Sequence, residues 1–249
     1  MMTITNVLIP HHGRSVHAVL YLPDTTTPAP AVLMSHGYNG CKTDFDHGAR
    51  RLAENGIASL CYTFCGGSTR DESGFPTTSM TLLTEREDAL ALLDYLRSHP
   101  AIDAEKVFLF GGSMGGMVSV LASQERPEDI AGLGLLFPAL CIPANWTERY
   151  ATDEEIPETI DFWGMTLGKG FVTSLRGMDV FAKMPEYTKP VIIFQGAKDP
   201  IARLADSEHA ASLYPDVELV VYPEEAHGFR PEADEDVFRR LMEFVKKHA

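Results

Sequence analysis

The sequence predicts an α/β fold: a mostly parallel, eight-stranded sheet flanked by helices. Two observations predict it. Short apolar β-type runs alternate with segments that have the apolar spacing of amphipathic helices. In addition, 45% of the 249 residues are hydrophobic and 22% are charged, as in ordinary soluble globular proteins. This length suits one domain with a full core, so we expect a single domain over residues 1–249.

The first two predicted strands should form an antiparallel hairpin, because Gly13 and Arg14 lie between two β-type runs. Strands are predicted wherever a short apolar or β-branched run is bounded by turn residues: 4–9, 16–22, 31–34, 57–64, 106–110, 130–137, 190–194 and 217–222. Helices are predicted where apolar residues recur at helical spacing: 44–55, 81–98, 117–124, 203–214 and 234–247.

The alternation stops in one long segment, from Pro138 to about Tyr187. It contains both tryptophans, several glycines and the acidic run 153–155. We interpret residues 138–187 as an inserted, lid-like subdomain that folds over a site. The acidic run is interpreted as a solvated face, because no histidine or cysteine lies near it to complete a metal site.

The strand 106–110 runs into Gly111–Gly115, which fits the pattern G-x-S-x-G and is followed by a helix. A serine on such a sharp turn needs small neighbours two residues away on either side. The turn would present the Ser113 hydroxyl at the edge of the sheet and direct the Met114 N–H into the same space. The pattern therefore predicts Ser113 as a nucleophile rather than as an ordinary turn residue.

A serine nucleophile needs a base, and the base needs an acid that orients it. In this fold class the order along the chain is serine, acid, histidine. Asp199 and His227 follow Ser113 in that order, and each comes just after a predicted strand. Since ligands bind at the carboxyl ends of parallel strands, all three should meet at one edge of the sheet.

The loop after the third strand, His36–Gly40, should bring a second backbone donor close to the substrate. We predict that the N–H groups of Tyr38 and Met114 form an oxyanion hole. His36 itself is interpreted as a structural residue that holds this loop by a side-chain hydrogen bond. No metal ligand set and no cofactor motif is recognised, so neither a metal nor an organic cofactor is expected.

The formal net charge of −14 argues against nucleic acid and anionic membranes as partners. No signal peptide or membrane-spanning run is recognised, which favours a cytoplasmic protein. The four cysteines, Cys41, Cys61, Cys65 and Cys141, do not have a metal-binding spacing. We expect free thiols, with a Cys61–Cys65 or Cys41–Cys65 bridge as the less favoured alternative.

The motifs around Ser113, His36, Asp199 and His227 together resemble the α/β-hydrolase superfamily over nearly the whole chain. More narrowly, the chain resembles the small bacterial cinnamoyl (feruloyl) esterases. That resemblance rests on the compact size, the single insertion of about fifty residues, and the segments 54–59 and 87–96. It implies that a serine carboxylesterase hydrolyses hydroxycinnamoyl or other small aryl or acyl esters through an acyl-serine intermediate. It also implies that the insertion holds the aromatic acyl group.

Four aromatic residues of the insertion are candidates for the substrate-binding wall: Trp146, Phe162, Trp163 and Phe171. They could equally form the insertion's own small core. An apolar, partly exposed insertion could also mediate a homodimer. Two other functions stay open: a serine peptidase of the prolyl-oligopeptidase type, which has the same triad order, and a non-catalytic ligand-binding protein with a hydrolase fold.

Overall fold

The computed structural model describes residues 2–249 and confirms the α/β architecture. Ten strands are present: β1 Met2–His11, β2 Arg14–Pro23, β3 Ala29–Ser35, β4 Ala58–Thr63, β5 Ile102–Gly112, β6 Gly132–Leu136, β7 Thr159–Phe162, β8 Met165–Gly168, β9 Val191–Gly196 and β10 Val217–Tyr222. Eight of them form one sheet in the order β1-β2-β4-β3-β5-β6-β9-β10. The sheet is parallel from β4 to β10, and the β1–β2 hairpin lies antiparallel at one edge, as predicted.

Seven α-helices connect or cover the strands: α1 Asp46–Glu54, α2 Leu82–Ser98, α3 Met114–Glu125, α4 Ile142–Arg149, α5 Lys169–Thr173, α6 Leu204–Leu213 and α7 Pro231–His248. The central strands bury both faces, because alternate side chains enter different cores. In β5, Val107 and Leu109 pack under α2 and α3, whereas Phe108 and Phe110 pack under α1 and α7. Truncating Phe110, which is fully buried, would cost about 3–5 kcal/mol.

Two predicted helix starts are wrong by a few residues. We predicted that the helix after the G-x-S-x-G turn starts at Met117, but α3 starts at Met114, directly after Ser113. Gly115 and Gly116 lie inside this helix, where it packs closely on neighbouring backbone. The last helix starts at Pro231 rather than near Asp234, because proline suits the first turn of a helix.

The insertion contains regular structure that the sequence did not predict. It holds α4, α5 and the antiparallel pair β7–β8. A two-residue turn joins these strands at Trp163, with φ 43°, and Gly164, with φ 80°. Both residues are therefore in the left-handed region that such hairpin turns require. The Tyr38 hydroxyl donates to the Phe162 carbonyl at 2.7 Å and so ties the hairpin to the loop after β3.

Within residues 2–249, no helix is both long and apolar enough to cross a membrane. All four cysteines are free and buried. Burial raises the pKa of the Cys65 thiol to about 12 and that of Cys61 higher still, so both remain protonated at neutral pH. Neither has the character of a thiolate nucleophile.

Candidate active site

The turn between β5 and α3 is the strained element that the sequence motif requires. Ser113 has φ 53° and ψ −117°, a conformation that residues with a side chain rarely adopt. A Cβ at Gly111 would lie 2.2 Å from the Gly115 carbonyl oxygen. A Cβ at Gly115 would lie 2.3 Å from the Ser35 carbonyl oxygen. Because both contacts are with backbone, only glycine fits at either position.

Ser113, His227 and Asp199 lie within hydrogen-bonding distance in series. His227 Nε2 is 3.0 Å from Ser113 Oγ, and His227 Nδ1 is 2.8 Å from Asp199 Oδ2. An ionised carboxylate only accepts hydrogen bonds, so Nδ1 is the donor to Asp199. Nε2 is then the unprotonated nitrogen, and it can accept the proton of the serine hydroxyl.

The loop after β9 holds the carboxylate of Asp199 in place. Asp199 Oδ1 accepts from the backbone N–H groups of Ile201 at 2.8 Å and Ala202 at 2.9 Å. The other oxygen, Oδ2, is left to face His227. The Asp199 side chain is fully buried, whereas 18% of the His227 side chain is exposed. The acid is thus fixed and shielded from solvent, while the base is partly exposed.

Gln195 is a supporting residue that the sequence did not indicate. It is fully buried in β9, and its amide donates to the Ala202 carbonyl at 2.8 Å. Its Oε1 accepts from Ser207 Oγ at 2.8 Å. Through these two hydrogen bonds, Gln195 connects the loop after β9 to α6. A polar residue within an otherwise apolar strand is the one sequence signal that could have identified it.

The loops after β9 and β10 are packed directly against each other, which sets the position of His227. A Cβ at Gly196 would lie 2.5 Å from the Glu225 carbonyl oxygen. The Glu225 carboxylate accepts from the N–H and the guanidinium of Arg230, at 2.9 and 2.8 Å, and so closes the loop that carries His227. The Phe137 ring lies 4.7 Å from the imidazole, measured between ring centroids.

The two predicted oxyanion donors border the same space as Ser113. Met114 is the first residue of α3, so its N–H has no carbonyl one turn back to bind. Tyr38 follows Gly37, where an added Cβ would lie 3.3 Å from Ser113 Cβ, so this loop approaches the serine closely. Tyr38, Ser113 and Met114 all line one cavity.

His36 has the structural role that we predicted for it. It is buried, it accepts from the Phe64 N–H through Nε2 at 3.1 Å, and Nδ1 donates to the Gly37 carbonyl at 2.6 Å. Burial lowers the pKa of His36 to about 4, so the ring is neutral at physiological pH. With both nitrogens engaged, it is not available as a second base.

The cavity beside Ser113 has a volume of about 310 Å³ and is lined largely by apolar side chains, several of them aromatic. All four aromatic residues predicted as a substrate wall border it: Trp146, Phe162, Trp163 and Phe171. Trp146 and Phe171 are also buried members of the main hydrophobic core, rather than of a separate small core of the insertion. Trp163 is 60% exposed and stacks on Phe162 with ring centroids 4.6 Å apart.

One group of side chains in residues 2–249 is close enough to share a metal ion: His11, His12 and Glu87, whose ligand atoms lie within 4.8 Å of one another. His11 and His12 lie at the β1–β2 turn and Glu87 lies on α2, and none of the three lines the Ser113 cavity. Glu87 already lies 3.6 Å from the guanidinium of Arg14. The arrangement around Ser113 does not involve it.

Residues 26–169 match the family model described as serine aminopeptidase, S33. This match covers more than half of the chain. The chain belongs to this family. Its fold is accordingly that of an α/β hydrolase, in agreement with the resemblance that the sequence motifs indicated.

The chain is similar to curated proteins with different activities. It is 24% identical over 221 residues to dipeptidyl aminopeptidase BIII of Pseudoxanthomonas mexicana, covering 82% of this chain and 31% of that protein. It is 33% identical over 138 residues to the esterase FrsA of Vibrio parahaemolyticus, covering 53% of this chain and 31% of that protein. The chain thus spans less than a third of the length of either relative.

Among solved structures, the chain is similar to Est1E of Butyrivibrio proteoclasticus, in a structure with bound ferulic acid. The TM-score is 0.88 at 24% identity, and the match covers 97% of this chain and 98% of Est1E. A putative hydrolase of Agrobacterium vitis matches with a TM-score of 0.77 at 20% identity, covering 98% and 99% of the two chains. Both matches cover nearly the full length of this chain and show that it shares the fold.

Proposed function

We propose that the chain is a serine carboxylesterase that hydrolyses hydroxycinnamoyl or other small aryl or acyl esters through an acyl-serine intermediate. The observation that carries this proposal is the series of contacts from Ser113 through His227 to Asp199, beside an aromatic cavity. A serine hydroxyl with a hydrogen-bonded base and a buried orienting acid is the arrangement that acyl transfer requires.

In the first half of the proposed reaction, Ser113 Oγ attacks the ester carbonyl while His227 Nε2 takes its proton. Asp199 holds the imidazole in the tautomer that allows this and stabilises the imidazolium that results. The N–H groups of Tyr38 and Met114 stabilise the oxyanion, a contribution of about 3–4 kcal/mol per donor in related chemistry. His227 then gives its proton to the leaving alcohol.

In the second half, His227 removes a proton from water, and the hydroxide attacks the acyl-serine carbonyl. The same two N–H groups stabilise the second oxyanion. Collapse breaks the bond between the acyl carbon and Ser113 Oγ, and the proton returns to the serine. The carboxylic acid leaves through the cavity, and the enzyme is restored without any cofactor.

The aromatic wall supports an aryl or hydroxycinnamoyl acyl group. Trp146, Phe162 and Phe171 present ring faces and edges at the spacings that aromatic pairs prefer, and a planar ring could extend this set. The similarity in fold to Est1E, whose structure has bound ferulic acid, supports the same substrate class.

A serine peptidase is the second candidate, because the family model and one curated relative carry aminopeptidase descriptions. An aminopeptidase has to bind a substrate ammonium group, usually through a carboxylate. Within the part of the chain that the structure describes, the residues lining the cavity include no aspartate or glutamate, and they do include Arg149. This electrostatic environment disfavours an ammonium group and favours the esterase.

The test is hydrolysis of methyl ferulate, chlorogenate, p-nitrophenyl esters from acetate to decanoate, and alanine p-nitroanilide. Ser113→Ala should lower kcat about 10⁴-fold or more, and Asp199→Asn should lower it about 10³- to 10⁴-fold by disturbing the His227 tautomer. Asp206→Asn, on the nearby α6, is the matched control and should retain wild-type rates.

Two results would count against the esterase. Hydrolysis that persists in Ser113→Ala would exclude the acyl-serine route, and faster cleavage of the anilide than of any ester would favour the peptidase. An organophosphonate that labels Ser113 in the wild type, located by mass spectrometry, would support the nucleophile. Failure to label would favour a ligand-binding protein without catalysis.

A further inference from the structure

Among residues 2–249, Arg149 is the one positively charged residue that lines the cavity beside Ser113. It is also exceptional among the arginines of the chain. Twelve of the thirteen lie within 4.0 Å of a carboxylate, and in the described residues Arg149 alone has no such partner. In a protein with 35 acidic residues and 21 basic ones, an unpaired arginine at a cavity is unexpected.

Aromatic rings hold the Arg149 side chain in place. Its guanidinium carbon lies 5.2 Å from the Trp146 centroid, 5.5 Å from the Tyr150 centroid and 5.8 Å from the Phe162 centroid. Such cation–π contacts position the charge without using its N–H donors. No hydrogen bond described for residues 2–249 uses the Arg149 guanidinium, so its donors remain available to a ligand.

The surroundings of Arg149 suit a mixed aromatic and anionic ligand. Cys141, Asn145 and Arg149 are spaced four residues apart along α4, and all three line the cavity. They form a polar edge on a wall that is otherwise mostly apolar, with five aromatic side chains. The ester-cleaving group, Ser113, lies on the same cavity, so one small molecule can contact both ends.

We propose that Arg149 binds a free carboxylate of the substrate. The preferred esters would then be monoanions that also carry an aromatic ring, either between the ester group and the carboxylate or on the other side of the ester group. This inference rests on the proposed esterase function. An arginine that already had a carboxylate partner would gain little from such a ligand. Arg149 has none, and planar guanidinium–carboxylate pairs are among the stronger polar contacts in proteins.

The carboxylate could belong to the acyl part or to the alcohol part of the ester. Two matched pairs of substrates separate these sources. Methyl 4-carboxycinnamate and methyl 4-carbamoylcinnamate differ by a charge on the acyl side. Chlorogenate and its methyl ester differ by a charge on the alcohol side, with release of caffeate as the common readout.

For one pair, we expect the kcat/KM of the wild type to be about tenfold or more higher for the charged ester than for the neutral one. This ratio should fall with added salt, because Arg149 is exposed. In Arg149→Gln the ratio should fall to about one. Arg149→Lys should keep part of it, since the charge remains but the planar fork does not. Arg203→Gln is the control: Arg203 is also exposed and close to the cavity, but it is paired with Asp206.

Binding to Ser113→Ala makes this test independent of catalysis. In Ser113→Ala, calorimetry should give a Kd about tenfold lower for the charged ester than for its neutral partner. In Ser113→Ala/Arg149→Gln, the two esters should have equal Kd values. If no ester is hydrolysed but this difference in binding is found, the esterase proposal fails and the carboxylate site stands. The carboxylate site is overturned if the charged esters are neither hydrolysed nor bound in preference to their neutral partners, or if the preference survives in Arg149→Gln.

Discussion

The loops at the strand ends and the insertion both border the cavity, but they differ in how they pack against the rest of the molecule. In the strand-end loops, backbone packs directly on backbone: Gly111, Gly115 and Gly196 leave no space for a Cβ. The insertion contributes aromatic side chains, one of which, Trp163, is mostly exposed. The difference indicates that the residues proposed for chemistry lie on the part that tolerates least change. Those proposed for selectivity lie on the part that can vary.

The largest effect should come from placing a methyl group in the strand-end region. Gly115→Ala puts a Cβ 2.3 Å from the Ser35 carbonyl oxygen and 2.4 Å from that of His36, and neither backbone can move without shifting β3. We expect a loss of about 3 kcal/mol or more in the free energy of unfolding, measured by urea denaturation. Ester hydrolysis should fall with it, because Ser113 is two residues away.

Gly170→Ala is the matched change in the insertion. Gly170 is also helical, but nothing lies within 4 Å of its added Cβ. Alanine should therefore stabilise α5 slightly, by about 0.5–1 kcal/mol, through its higher helix propensity. Equal denaturation midpoints for the two alanine variants would contradict the contrast between the regions.

The strand-end region could be predicted from the sequence because its geometry restricts residue type. Only glycine fits beside a strained Ser113, and an acid and a histidine after consecutive strands must meet at one edge of a parallel sheet. The eight strands were found because apolar runs between turn residues are a strong local signal. The structure brings Ser113, Asp199 and His227 together as that reasoning expected.

The insertion could not be predicted in the same detail. Its hairpin strands, β7 and β8, have four residues each, too short for a periodic pattern. The turn between them has Trp163 where asparagine or glycine would have been recognised. Gln195 and Arg149 were missed for another reason: their importance depends on partners, or on a lack of partners, that only the folded chain reveals.

An effect that depends on pH is expected at Glu85, a carboxyl group buried next to the loop at Gly67. It is fully buried, and neither of its oxygens has a hydrogen-bond partner in residues 2–249. Burial first, and the nearby charge of Asp88 second, raise the pKa of Glu85 well above its usual value. The folded state therefore keeps a proton that the unfolded state releases, and stability should fall as pH rises above about 4.5.

Glu85→Gln should remove this loss. At pH 4 the two proteins should be about equally stable, since the carboxyl is largely protonated in both states. Between about pH 4.5 and the raised pKa, the variant should gain about 1.4 kcal/mol per pH unit over the wild type in urea denaturation. Glu208→Gln, on an exposed face of α6, should show no such trend. A gain that does not depend on pH would mean that packing, not ionisation, causes it.

The smallest effect on stability, and the clearest on selectivity, should come from Trp163→Asn. Asparagine adopts a φ near 43° more readily than tryptophan, so the turn with Gly164 should be kept or slightly stabilised. The indole that stacks on Phe162 at the cavity is lost. We expect KM for methyl ferulate to rise about three- to tenfold, the loss of one aromatic contact, with p-nitrophenyl acetate little affected. Leu8→Asn, at another exposed apolar position, is the control and should leave KM unchanged for both esters. If Trp163→Asn raised KM equally for both esters, the cause would be a change in the fold of the insertion rather than the loss of an aryl contact.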